Sequence, residues 1–261
     1  MSKNISILGC GWLGSKLIEY LGDKAKVLGT GRSEKSINRI KTAGGVSIEY
    51  DLNTDGPALP KQLYDSKVLM IALPPSKVDF EAFEECLDEI TEDAFEQVIL
   101  ISSTGIYKDC NQRVTESSKE IKTEGSLFAI ERACQLKFKK SLTILRMGGL
   151  IGPGRNPANF LHSERIQNNP RGKVNLVHSD DCVKVIAKVI DLELTNKRYN
   201  VVMDDHPSKK EFYSTVAFLS SKREPRFDPN GRRYFKIVSN EKVKKDLDFQ
   251  FMDIFDAVRS F

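Results

Sequence analysis

The sequence predicts an α/β fold of the Rossmann type, a doubly wound parallel sheet with a small, discontinuous C-terminal part. Short apolar runs of strand length alternate with segments of helical periodicity, which is typical of repeated βαβ units. A glycine-rich turn follows the first apolar run directly and opens the first helical segment. We therefore expect residues 1–150 to form the Rossmann domain, and residues 151–261 to complete the sheet and form a small substrate lobe.

The strands predicted in the first part are apolar runs bounded by turn residues, at positions 4–8, 26–29, 46–50, 68–73, 97–102 and 142–146. The run 68–73 is apolar almost throughout and is followed by two prolines, as expected of a strand buried on both faces. Helices are predicted where apolar residues recur every three or four positions. Their markers are Leu13, Leu17, Ile18 and Leu21; Phe80, Phe83, Leu87 and Ile90; and Leu127, Ile130, Ala133 and Cys134.

Beyond Arg146 the alternation becomes less regular, because glycine and proline interrupt the pattern at 148–149 and 152–154. One more helix is predicted after Asp180 and Asp181, which we expect to be N-cap residues, from the spacing of Val183, Ile186, Val189 and Ile190. A late strand is expected at 199–203, and the last 50 residues have no clear period.

Composition excludes several classes of protein. The 40 basic and 36 acidic residues leave a net charge of +4, too small to indicate a nucleic-acid partner. No apolar run approaches the roughly 20 residues of a membrane span, and no signal peptide is recognisable. The five cysteines are scattered without a CxxC pair, which indicates reduced thiols and a cytoplasmic location. The three histidines show no metal-ligand spacing, so no metal site is predicted.

The glycine-rich turn, GCGWLG at 9–14, matches the G-x-G-x-x-G pattern in the strand–turn–helix context that gives it a mechanism. Gly9 would make the tight turn, Gly11 would admit the pyrophosphate of a dinucleotide, and Gly14 would allow close packing of helix on strand. The following helix N-terminus would attract the phosphates. The alternative is a glycine-rich turn without a ligand. The other predicted cofactor contacts are Trp12 and Leu13 in the loop, and Leu73 and Pro74 after the fourth strand.

The end of the second strand favours NADP over NAD. An NAD-binding fold carries an acid there for the ribose 2′-OH, but this chain has Arg32 and Ser33 and no acid before Glu34. Arg32 could form a charge-assisted fork on a 2′-phosphate, and Ser33 could add a hydroxyl donor. The alternative is an exposed surface arginine. Asp51, after the third strand, could meet the adenine end of the cofactor or cap a turn.

Four further segments occur in an order and spacing typical of one known family. They are ISSTGIY at 101–107, LRMGGLIGPGR at 145–155, VHSDD at 177–181 and YNVV at 199–202. With the glycine motif and Arg32, they make the chain resemble the extended short-chain dehydrogenase/reductase superfamily. The resemblance spans nearly the whole chain and is strongest to the atypical NAD-dependent epimerase/dehydratase, or nucleoside-diphosphate-sugar epimerase-like, branch. It implies a dinucleotide cofactor and a small carbonyl or sugar-type substrate, and it makes a homodimer an option.

The resemblance also implies catalytic residues and shows where this chain departs from the pattern. Ser103 stands where the family has a hydroxyl that polarises the reacting group, although a serine could equally satisfy backbone groups at a strand end. The family's Y-x-x-x-K is missing: Leu127 and Glu131 occupy the Tyr and Lys positions. A rearranged acid/base built on Ser103, Tyr107 or Glu131 is one interpretation. The others are a catalytically silent NADP-binding redox sensor and a binding module for another protein.

Four other side chains are candidates on weaker grounds. His178, in the VHSDD segment, could face a substrate or be a buried histidine bonded to backbone. Arg155, Arg232 and Arg233 could anchor an acidic or diphosphate substrate, or could be ordinary surface residues. Cys10, inside the glycine loop, is interpreted as a small filler residue because no second cysteine lies near it in sequence.

Overall fold

The computed structural model describes residues 3–161 and 166–260. Its centre is a seven-stranded parallel sheet flanked by helices, as predicted. In chain order the strands are β1 Lys3–Leu8, β2 Ala25–Gly31, β3 Val46–Glu49, β4 Val68–Ile71, β5 Gln97–Ser103, β6 Arg113–Val114, β7 Leu142–Met147, β8 Gly149–Ile151, β9 Leu176–His178, β10 Lys197–Val201 and β11 Ile237–Val238.

The spatial order of the large sheet is β10-β7-β5-β4-β1-β2-β3, and the short strands form the pairs β11-β6 and β8-β9. The chain order reverses at β1, which lies between β2 and β4. In open parallel sheets this reversal opens a crevice at the carboxyl ends of the strands.

Eight helices are described: α1 Trp12–Leu21, α2 Glu34–Thr42, α3 Phe80–Glu89, α4 Ser126–Lys137, α5 Ser179–Asp191, α6 Lys209–Leu219, α7 Glu241–Leu247 and α8 Ile254–Arg259. Within the described residues, no helix combines the length and the apolar character needed to cross a membrane.

Two compact units interleave along the chain. The first consists of Met1–Ser102, Thr123–Arg146 and Val183–Tyr199. The second consists of Ser103–Lys122, Met147–Cys182 and Asn200–Phe261. Each unit therefore contains segments from both sides of residue 150, because the chain returns to the large sheet through β10.

Each unit has its own apolar core. In the first unit, α3 and α4 pack through residues such as Phe83 and Ile130 against sheet residues such as Leu69 and Val98. All four residues of β4 are buried, as predicted for a strand covered on both faces. In the second unit, a smaller core joins α6 and α8 around Phe212 and neighbouring side chains, Ile151, Val174, Met203, Val216, Ile254, Ala257 and Val258.

Helix α2 was not predicted, because Ile37 and Ile40 are its only apolar residues and two positions do not establish a helical period. Of these two, only Ile40 is buried. The start of α2 is instead marked by a local capping pattern. The Ser33 hydroxyl accepts the Ser36 N–H, and the Ser36 side chain accepts the Ser33 N–H, which is a capping box. The same signal, between Ser208 and Glu211, starts α6 in the region where no period was evident.

The prediction that Asp180 and Asp181 cap α5 is wrong. The helix begins one residue earlier, at Ser179, so both carboxylates lie in its first turn. There they still interact favourably with the positive end of the helix dipole. Asp181 is buried, and its Oδ2 accepts the Met252 N–H at 2.9 Å.

Candidate functional site

A cavity of about 200 Å³ opens in the first unit at the carboxyl ends of β1, β2, β3 and β4. This is the edge at which the strand order reverses, where folds of this class bind their ligands. The cavity is lined by four segments of the chain. They are residues 8–11, residues 30–33 with Ser36, residues 50–53, and residues 72–74 with Lys77 and Val78.

The glycine turn forms one wall of the cavity. Gly9 has a φ of +83°, and a Cβ at this position would lie 2.7 Å from Cδ2 of Leu73, so glycine is required on both counts. The Gly9 N–H donates to Oγ1 of Thr30 at 2.8 Å, and the Cys10 N–H donates to the Thr30 carbonyl at 2.8 Å. These bonds fix the turn to the end of β2.

Gly11 is different, because a Cβ added there would have no protein atom within 4 Å. Packing within the protein therefore does not explain the glycine, whereas close approach of a ligand would. Gly11 is also the N-cap of α1, and it has no side chain with which to cap the helix. The first turn of α1 contains no acidic residue, so nothing in that turn opposes binding of an anion.

Gly14 lies behind the turn and does not line the cavity. A Cβ there would meet Sγ of Cys10 at 2.7 Å, so the glycine allows α1 to pack closely on the turn. Burial raises the pKa of the Cys10 thiol to about 12, which agrees with a filler residue rather than a reactive thiol. Trp12 and Leu13 also lie outside the cavity lining.

Two charged lining residues of the cavity follow β2 and β3 and form an ion pair. Nη1 of Arg32 lies 3.6 Å from Oδ2 of Asp51, and both side chains are partly exposed, at 45% and 28%. Oδ1 of Asp51 accepts the Asn53 N–H at 3.2 Å. Asp51 thus caps a turn and lines the cavity as well, so the two alternatives for this residue do not exclude each other. The Ser33 hydroxyl lines the cavity while it caps α2.

Several cavity residues were not singled out from the sequence. Asn53 links two of the walls, because its Nδ2 donates to the Lys77 carbonyl at 3.0 Å and its Oδ1 accepts the Asp79 N–H at 3.1 Å. The Lys77 ammonium forms no ion pair within residues 3–161 and 166–260, so it adds an uncompensated positive charge. Tyr50 lines the cavity, and its hydroxyl donates to the Gly56 carbonyl at 2.9 Å. No motif marks these residues.

The predicted acid/base residue Glu131 lies in the first unit, in a buried ion pair. Its Oε1 accepts from Nε of Arg146 at 3.0 Å, and its Oε2 accepts from Nη2 at 2.7 Å. The Ser102 hydroxyl also donates to Oε1, at 2.5 Å. Both charged side chains are about 97% buried. Arg146 was missed as the partner, although an arginine at the end of a buried strand needs a carboxylate.

The other two catalytic candidates lie in the second unit. Ser103 ends β5, is partly exposed, and its hydroxyl accepts the Gly105 N–H at 3.0 Å, as expected of a serine at a strand end. Tyr107 is fully buried, and its hydroxyl donates to Oδ1 of Asn200 at 2.7 Å. Asn200 Nδ2 in turn donates to the Ser239 carbonyl at 3.0 Å, so the Tyr107 hydroxyl belongs to a buried polar network.

The remaining candidates are also in the second unit. His178 is buried, and its Nδ1 accepts the Asp180 N–H at 3.3 Å. Arg155, Arg232 and Arg233 are exposed. No group of three or more His, Cys, Asp or Glu side chains suited to a metal ion occurs in the described part of the chain.

Fold and cavity together define an α/β protein with the architecture of NAD-dependent epimerase/dehydratase-like proteins. No family model matches the chain. The chain is 27% identical to protein YeeZ of Escherichia coli K12 in an alignment of 266 positions, which covers 95% of this chain and 96% of the relative.

Two solved structures illustrate the likeness in fold. The first is a Methylobacillus flagellatus protein provisionally assigned to the NAD-dependent epimerases/dehydratases. It superposes with a TM-score of 0.81 at 22% identity, over 100% of this chain and 97% of the other. The second is the UDP-glucuronic acid 4-epimerase of Bacillus cereus in complex with NAD. It superposes with a TM-score of 0.76 at 17% identity, over 98% of this chain and 96% of the other.

Proposed function

We propose that this protein is a nicotinamide-dinucleotide-dependent oxidoreductase or epimerase of the extended short-chain dehydrogenase/reductase type. It prefers NADP to NAD and acts on a small carbonyl or sugar-type substrate with a rearranged acid/base. The observation that carries the proposal is the cavity at the reversal of the strand order, which is lined by both Gly11 and Arg32.

The lining of this cavity suits a dinucleotide. The space above Gly11 and the uncapped start of α1 would take the pyrophosphate through backbone N–H groups. Leu73, Pro74 and Val78 provide an apolar wall for a base. Arg32 would receive a 2′-phosphate, and no acid precedes it on β2. When bound, the nicotinamide ring supplies hydride transfer, and the protein supplies binding and orientation.

Calorimetric titration with NADPH, NADH, NADP and NAD tests the cofactor assignment. We expect the phosphorylated pair to bind more tightly, and Arg32→Ala to remove most of that preference. The expected loss is about 1.5 kcal/mol, the lower end for a hydrogen bond to a charged group, because Arg32 is 45% exposed. Lys41→Ala is the matched control, since it removes the same charge from the opposite end of α2. If none of the four dinucleotides binds, the proposed function is wrong.

A second candidate function is a catalytically silent NADP-binding sensor. It is favoured by the ion pair with Arg146, which occupies both oxygens of Glu131, and by Leu127 at the family's tyrosine position. Two assays distinguish these functions: oxidation of NADPH, followed by its absorbance, with a panel of carbonyls, and product analysis with a panel of sugar nucleotides, because epimerisation consumes no dinucleotide. Turnover with any substrate supports the enzyme. Binding of NADPH without turnover on the whole panel supports the sensor.

A further inference from the structure

The guanidinium of Arg32 has two possible anionic partners in this cavity. Its guanidinium is paired with the Asp51 carboxylate at 3.6 Å, and it is also the group available for a ligand phosphate at the end of β2. Asp51 is fixed from two sides. Its Oδ1 accepts the Asn53 N–H at 3.2 Å, and its own N–H donates to Oδ2 of Asp55 at 2.8 Å. The negative charge therefore stays at the cavity wall when a ligand enters.

We propose that Asp51 sets the choice between phosphorylated and unphosphorylated dinucleotides by competing with the 2′-phosphate for Arg32. The inference rests on the proposed function, because it assigns a selectivity role within the same cofactor cavity. A phosphate monoester carries a charge of about −1.5 to −2 near neutral pH, more than Arg32 can balance while it is also paired with Asp51. Lys77, the other cation of the lining, forms no ion pair among the described residues and does not neutralise Asp51. An unphosphorylated ribose leaves the Arg32–Asp51 pair intact.

Arg32 and Asp51 therefore change the ratio of the NADPH and NADH affinities in opposite directions. Arg32 raises the affinity for NADPH relative to NADH, and Asp51 lowers it. Both side chains are partly exposed, so water and salt screen the repulsion between the phosphate and Asp51. We expect an effect of about threefold to tenfold, as for two charges separated by a few ångströms near a protein surface.

Asp51→Asn is the decisive variant, because asparagine keeps an Oδ1 acceptor for the Asn53 N–H and removes only the charge. Asp55→Asn is the matched control. It removes the same charge four residues away, keeps an acceptor for the Asp51 N–H, and lies outside the cavity lining. The measurement is the ratio of the NADPH and NADH dissociation constants, obtained by calorimetry at low and high salt.

The expected result is that Asp51→Asn raises the preference for NADPH by about threefold to tenfold at low salt and by less at high salt. Asp55→Asn should leave the ratio within about twofold of wild type. In an Arg32→Ala background, the effect of Asp51→Asn should become smaller, because there is no longer a shared cation. If Asp51→Asn changed the NADPH/NADH ratio equally in wild-type and Arg32→Ala protein, Asp51 would act only by repelling the phosphate directly. That result would overturn the proposed competition for Arg32.

A ratio that does not change in Asp51→Asn, or that moves towards NADH, overturns the inference and leaves the proposed function intact, provided that the dinucleotides still bind. If wild-type protein binds none of the four dinucleotides, the proposed function fails, and this inference fails with it. The two failures are therefore distinguished within one set of titrations.

Discussion

The guanidinium of Arg146 donates two hydrogen bonds to the carboxylate of Glu131, from Nε at 3.0 Å and from Nη2 at 2.7 Å, within the buried core of the first unit. The pair connects α4 to β7, and the hydroxyl of Ser102, the last residue but one of β5, donates to Oε1 of Glu131. Both oxygens of Glu131 are thus bonded within the protein. Removal of one partner would leave the other charge buried without compensation.

We expect Glu131→Gln to lower the free energy of unfolding by about 3–5 kcal/mol, because Arg146 would lose its counter-charge in a buried site. Replacing both residues by methionine should recover most of that loss, since a well-packed apolar pair avoids the desolvation cost. Urea unfolding of the two variants measures both effects. A Glu131→Gln protein of wild-type stability that has lost turnover would show instead that Glu131 is catalytic.

Gly11→Ala separates ligand binding from folding. A Cβ at this position meets no protein atom within 4 Å. The variant should keep its stability to within about 1 kcal/mol, the usual difference between glycine and alanine at an N-cap. It should nevertheless lose dinucleotide binding, because the methyl group enters the space proposed for the pyrophosphate. Unchanged NADPH affinity by calorimetry would place the pyrophosphate elsewhere.

Gly14→Ala should show the opposite behaviour. The new Cβ would lie 2.7 Å from Sγ of Cys10, so the core must shift, at a cost of about 1–3 kcal/mol. Cys10→Ala in the same chain removes the clashing atom and should restore part of the stability. Thermal or urea unfolding of the single and double variants tests this. Additive losses in the double variant would show that the contact with Cys10 is not the cause.

Tyr107→Phe should destabilise the second unit by about 1–3 kcal/mol, because Oδ1 of Asn200 would lose its buried donor. NADPH binding, which we assign to the first unit, should not change. Urea unfolding and calorimetry on the same preparation provide both measurements. A variant with normal stability and no turnover would indicate that the tyrosine hydroxyl acts on a substrate.

Alkaline pH should weaken the fold through its buried thiols. Burial raises the pKa of Cys10 to about 12 and that of Cys86 to about 11, from an ordinary value of 9.0. The unfolded chain therefore releases these protons first, so the stability is constant below about pH 9 and falls as the pH rises towards 11 and 12. Each thiol should contribute about 1 kcal/mol per pH unit in that window.

Urea unfolding at pH 7.5 and pH 10.5 measures the loss. Cys110→Ser is the control, because Cys110 is partly exposed and its replacement should leave the pH dependence unchanged. Alkylation of the native protein near pH 8 should accordingly modify Cys110 before the four buried cysteines. Equal stability at the two pH values would contradict the protonated, buried state of Cys10 and Cys86.

Features that depend on a few consecutive residues could be predicted from the sequence. The apolar run of β4 and the strand–turn–helix setting of Gly9 and Gly11 are examples, because strand period and backbone conformation are local properties. Helix α2 was missed because its only apolar residues are Ile37 and Ile40, and α6 because only its capping box marks it. The division into two interleaved units could not be predicted from local patterns either, because it depends on where β10 returns to the large sheet.

The pairing of charges was decided by the tertiary structure. Arg32 follows β2 and Asp51 follows β3, and these two strands are parallel neighbours with Gly31 opposite Glu49. Their carboxyl ends therefore bring the two side chains to one wall of the cavity, at a separation of 3.6 Å. The sequence established that a glycine turn precedes the first helix and that an arginine ends the second strand. Strand order and register, which depend on contacts between distant segments, determined which carboxylate meets that arginine and that Arg146 neutralises Glu131.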